Sequence, residues 1–128
     1  ELTLNHMKSL LTATAIIEAL TGLALAMVPA SVAEGLLGTS LTEPGGVLVA
    51  RLAGAALLSI AIACWFSRND THSSAMVKAM LAYNVFAITL LVYAAVIEQV
   101  SGRGLWPAVV LHAVLMIWCV SVLRKHSV

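Results

Sequence analysis

The stretch Leu10–Pro29, "LLTATAIIEALTGLALAMVP", decides the fold. Between Lys8 and Pro29 its only ionisable side chain is Glu18. A run of about 20 predominantly apolar residues is what a helix needs to cross roughly 30 Å of hydrocarbon. Pro29 has no backbone N–H to continue the ladder and sets the end of that helix. The segment therefore reads as a membrane span from about Lys8 to Val28, with one carboxylate near its middle.

The same pattern recurs three times. Apolar runs from Gly45 to Phe66, Ser74 to Val100 and Leu105 to Leu123 are separated by "SRND" and "SGRG". Pro107 sits in the first turn of the last run, where its missing N–H costs nothing. The composition agrees: 61% of the 128 residues are hydrophobic and 10% charged, and the mean hydropathy is +1.00. That leaves too little polar surface for a water-soluble domain. In hydrocarbon every backbone polar group must be paired within its own segment, so all four runs are expected to be helical. Residues 1–128 are read as one membrane domain, an all-α integral membrane protein folded as an up-down bundle of four transmembrane helices. Because three further spans follow the first, it reads as a permanent span and not as a cleaved signal.

The first loop, "PASVAEGLLGTSLTEPGG", carries no Lys or Arg. Its Pro29–Leu37 portion has helical character and is expected to lie along the interface, with Gly38 as its C-cap. Lys8, Arg68, Lys78, Arg124 and Lys125 flank one side of the spans and only Arg103 the other. The excess of positive charge puts both termini in the cytoplasm, and a bacterial inner membrane is the expected location. Trp106 and Trp65, near opposite membrane faces, suit the aromatic belts. The net charge of +1 and the scattered cations exclude a nucleic-acid partner.

Helical rise converts position into depth. Glu18, Tyr83 and Asn84 fall near the midplane, and Arg51 and His112 in the outer half. On the first helix Thr14, Ala15, Glu18, Thr21 and Gly22 share a small or polar face, whereas Ile16, Ile17, Leu20 and Leu23 cover much of the rest. Arg51 shares a face with Gly54, Ala55 and Leu58, which suits the bundle interior. A charged Glu in hydrocarbon costs a few kcal/mol or more, so Glu18 should be protonated, paired or open to a water-filled cavity. Arg51 is the expected partner, unless it snorkels to the surface. The expected site is a polar layer of Glu18, Arg51, Tyr83, Asn84 and His112. Its bland alternative is interhelical glue, worth about 1 kcal/mol per contact.

No nucleophile–base pair, metal-ligand spacing or phosphate-binding loop is present, so catalysis is not indicated. Cys64 and Cys119 lack redox or metal spacing and read as small buried hydrophobes. His112 is the one histidine deep in the membrane, since His6, His72 and His126 fall on the cytoplasmic side. A bis-His haem within one chain is thus disfavoured, although a dimer could pair two copies of His112. The sequence requires no cofactor; a quinone or haem stays open. The echo between "LTGLAL" (residues 20–25) and "LAGAAL" (residues 52–57) is explained by close helix packing through small residues.

The segment "PASVAEGLLGTSL" followed by "ARLAGAALLSIAIACW" resembles the small DoxX-like four-helix membrane proteins and their uncharacterised relatives. The resemblance covers the first half of the chain. It implies a bundle whose first helix ends in Pro before a short helix, and an accessory role beside a quinone-linked oxidoreductase. It carries over no catalytic residue. The expected function is therefore binding of a small hydrophobic or amphipathic ligand, lipid- or quinone-like, in the polar layer, within a larger redox or transport assembly. The alternative is a proton-coupled transporter acting as a homo-oligomer, with Glu18 as the coupling carboxylate. The small multidrug resistance transporters share that placement of one acid in helix 1, but their aromatic-rich substrate surface has no counterpart in helices 1 and 2.

Overall fold

Pro29 divides the first hydrophobic stretch as expected. In the computed structural model, which describes residues 2–70 and 73–126, α1 spans Leu2–Met27 and α2 spans Pro29–Leu37. Val28 still donates to Ala24 O at 2.8 Å. The ladder then breaks, because Pro29 in the first turn of α2 has no N–H to give. Gly38 closes α2 in the left-handed conformation (φ 75°), its N–H returning to Glu34 O at 2.9 Å.

The remaining helices are α3, Pro44–Ser67; α4, Ser74–Val96; and α5, Leu105–His126. The described residues contain no strand. Helices α1, α3, α4 and α5 are each long and apolar enough to cross a membrane. Large apolar side chains point outward all around, among them Leu20, Leu52, Phe66, Phe86, Leu90 and Ile117. In water that surface would be untenable, and in lipid it is the solvated face. The chain is an all-helical membrane bundle with a short helix after its first span.

Two helix ends differ from expectation. Helix α1 begins at Leu2, well before Lys8, because polar residues at a span's end do not interrupt a helix that leaves the hydrocarbon. Helix α4 stops at Val96 and not at Val100. There Gln99 adopts φ 56°, and Val100 N–H reaches back to Ala94 O at 3.0 Å, a left-handed ending that a non-glycine residue seldom provides. The apolar run continues past it, which is why hydropathy alone overshoots.

The helices pack as two tight pairs, α1 with α3 and α4 with α5, while α3 and α4 meet sparsely. Gly22 and Gly54 explain the first pair. A Cβ on Gly22 would lie 2.7 Å from Gly54 O, and one on Gly54 would lie 2.7 Å from Gly22 O. The two glycines of the sequence echo thus face each other, and only their missing side chains let the backbones come so close. Diagonally across the bundle, Ser73 Oγ donates to Met7 Sδ at 2.8 Å. This sequence offset is close to that between Glu18 and Tyr83, so α1 and α4 run parallel, as an up-down order requires.

The apolar core occupies the half of the bundle nearer the termini. Met7, Leu10 and Leu11 of α1 meet Cys64 of α3, Val77 and Met80 of α4, and Leu115, Cys119 and Val122 of α5. Both cysteines are buried and free. Toward the α2 end this dense packing gives way to polar side chains and then to open space.

Candidate functional site

The buried stripe of α1 runs Met7, Leu10, Leu11, Thr14, Ala15, Glu18 and Gly22. Its spacing of three and four residues carries Glu18 inward on the same face as the core, leaving it 2% exposed. The sequence placed that acid correctly. Ile16, Leu20 and Leu23 point outward, as their phase dictates.

Helix α4 supplies two consecutive polar residues to the same level. Tyr83 donates its hydroxyl to Glu18 Oε2 at 3.5 Å, the long end of a hydrogen bond. Asn84 is 1% exposed and faces α5. Its Nδ2 donates to Met80 O at 2.7 Å, and its Oδ1 lies 2.8 Å from His112 Nδ1. A carbonyl can only accept, so Met80 fixes which end of the amide points which way. The ring of Tyr83 meets that of His112 edge to face, centroids 5.6 Å apart and planes at 77°. Glu18, Tyr83, Asn84 and His112 therefore form one connected layer across three helices.

Above this layer lies a cavity of about 520 Å³ to which all five helices contribute. Glu18, Tyr83 and His112 form its polar end, together with Thr21. Its walls are otherwise apolar, including Leu25, Leu57, Leu91 and Leu111. Phe86 and Leu90 border it while remaining about two-thirds exposed to the surroundings. The volume lies within the range of small-molecule pockets, and so does the composition, a few convergent polar groups in an apolar shell.

Val32 and Leu36 of α2 close the end of the cavity opposite the core. The short helix is held there through its backbone. Gly104 N–H donates to Gly35 O at 2.8 Å, and a Cβ on Gly102 would overlap the Leu36 carbonyl. The loop before α5 thus seats α2 as a roof.

Arg51 departs from expectation. It is exposed on α3 and does not line the cavity. The inward residues of α3 are Gly54, Ala61 and Cys64, with Leu57 turned to the cavity, so the interior face is rotated away from the one that Arg51 and Ala55 share. Seating Gly54 on Gly22 sets that rotation. Among the described residues Glu18 makes no ion pair, and its polar contact is Tyr83. The exposure of Arg51 is what the snorkelling alternative requires.

His6 is exposed near the start of α1, about 18 Å of helical rise from the level of Glu18. His72 lies outside the described residues. No group of three His, Cys, Asp or Glu side chains among the described residues is arranged to hold a metal ion.

Thr21 shares the Glu18 face as its phase predicts and lines the cavity, whereas the role of α2 as a roof was not foreseen. Val32 and Leu36, one turn apart on a short amphipathic helix, were the available signal. Thr14, one turn nearer the core than Glu18, buries its Oγ1 without a partner.

Fold and site together define an all-helical membrane bundle with a buried carboxylate at the floor of an apolar cavity. No protein-family model, curated protein or solved structure matches the chain.

Proposed function

We propose that this bundle binds a small hydrophobic or amphipathic molecule, its polar end against Glu18, Tyr83 and His112 and its apolar part among the leucines beneath α2. The observation that carries this reading is the cavity of about 520 Å³ whose polar side chains are gathered at one end. A purely structural polar layer needs its groups to satisfy one another and needs no space beside them. Here Glu18 has one long hydrogen bond and an adjoining void.

The protein resides in a bacterial inner membrane with both termini cytoplasmic, which the distribution of Lys and Arg supports. The α2 roof then faces the outer side. An accessory role in a larger redox assembly is supported by the resemblance of the first half of the chain to DoxX-like proteins.

The test is gentle extraction of the wild-type protein from its membrane, followed by native mass spectrometry and absorbance spectroscopy. A retained hydrophobic molecule, lost when Ala108→Phe fills the cavity wall, is the expected result. A clean mass for wild type, together with unchanged affinity for added alkyl probes in Ala108→Phe, would overturn the proposal.

A further inference from the structure

The polar end of the cavity has a definite hydrogen-bonding sense. Asn84 turns its Oδ1 toward His112 because its Nδ2 is committed to Met80 O. His112 Nδ1 must therefore carry a proton, and in the neutral ring Nε2 is left as an acceptor. Tyr83 directs its hydroxyl proton to Glu18, which leaves the phenolic oxygen as an acceptor too. A carboxylate at Glu18 keeps its second oxygen, Oε1, uncommitted. With Glu18 ionised, every fixed polar group at this end presents lone pairs, and the donors that remain are the Thr21 hydroxyl and, when it is protonated, Glu18 itself.

The charge has the same one-sided character. Glu18 is 2% exposed and has no cationic partner among the described residues. Arg51, the cation nearest to it in sequence depth, is turned outward. A ligand bearing phosphate or carboxylate would meet acceptors and negative charge. A carbonyl head would be served by Thr21 or a protonated Glu18 alone and would leave the lone pairs of His112 Nε2 and the Tyr83 oxygen unmet. A head that donates several hydrogen bonds and carries a positive charge satisfies both requirements at once.

Resting on the cavity reading above, we infer that the ligand class is a protonated primary or secondary alkylamine. Its ammonium pairs with the Glu18 carboxylate and donates to His112 Nε2, and its alkyl chain fills the space between Leu25, Leu91 and Leu111. An intramembrane charge is tolerated when it is paired and hydrogen-bonded, and this arrangement supplies each charge with its partner.

Three ten-carbon probes test it on the full chain in detergent at neutral pH: n-decylamine, 1-decanol and decyltrimethylammonium. Binding is counted by native mass spectrometry. One decylamine per chain, held at least about tenfold more tightly than decanol, is expected. Decyltrimethylammonium has the charge but no N–H, and should fall between them. In Glu18→Gln the preference for the amine should vanish while decanol binding persists, and partitioning into the micelle cancels in that comparison. Equal binding of amine and alcohol by the wild type would overturn the amine assignment and leave the cavity reading standing. Binding of none of the three would overturn both. The wild-type comparison decides the matter even where the variant fails to fold.

Discussion

Asn84 Oδ1 lies 2.8 Å from His112 Nδ1, and the other end of the same amide donates to Met80 O at 2.7 Å. One side chain of α4 thereby sets the proton position on a ring of α5. In the interior of a membrane bundle neither group has water to fall back on, so each depends on the other.

Truncating either member should orphan its partner. Asn84→Ala and His112→Ala are each expected to cost about 1–3 kcal/mol. The double variant should cost less than their sum, by at least about 0.5 kcal/mol. Unfolding of the four proteins in mixed micelles measures this. Nitrogen-15 NMR of the histidine rings should in addition show His112 protonated on Nδ1 when neutral, and a proton on Nε2 would refute the assigned amide orientation.

Glu18 and Arg51 should behave independently. Because Arg51 is exposed and outside the cavity, the effects of Glu18→Gln and Arg51→Leu on stability should add to within about 0.5 kcal/mol. A clear shortfall in the double variant would mean that the two side chains meet after all.

Gly22 and Gly54 are expected to tolerate no side chain. Gly22→Ala places its methyl 2.7 Å from the Gly54 carbonyl, and forcing α1 from α3 should cost about 1–3 kcal/mol. Gly45→Ala is the control: nothing lies within 4 Å of its Cβ, and its effect should stay within about 0.5 kcal/mol. Melting temperatures of the three proteins in one detergent compare them directly.

Gly102→Ala should unseat the roof. The new methyl overlaps the Leu36 carbonyl, so α2 must move off the loop that holds it. Faster hydrogen exchange at residues 32–38 is the expected signature, with little change at the buried core around Leu10 and Cys119. Unaltered exchange in α2 would show that the roof is held by other contacts.

Membrane orientation can be read with thiol reagents. Cys64 and Cys119 are fully buried and should give little background. Ser40→Cys and Asn69→Cys place reactive groups at exposed positions at opposite ends of the bundle. Labelling of intact cells should reach position 40 and spare position 69; the reverse would invert the topology.

The spans, the break at Pro29, the short helix ending at Gly38 and the inward phase of Glu18 were all legible in the sequence. They depend on properties local to one segment: apolar length against bilayer thickness, a missing N–H, a glycine free to turn left-handed, and a repeat of 3.6 residues. The end of α4 was not legible, because its stop is a backbone conformation at Gln99 and hydropathy is blind to φ. Tertiary structure alone decided the rest. Which flank of α3 faces inward follows from Gly54 seating on Gly22, so Arg51, well placed in depth, was turned out by a rotation that its own helix does not encode. The hydrogen-bonding sense of His112 came from an amide one helix away. The cavity is the space left where two tightly packed helix pairs and a roof fail to fill the interior, and a void between segments is a property of their arrangement and of no single segment.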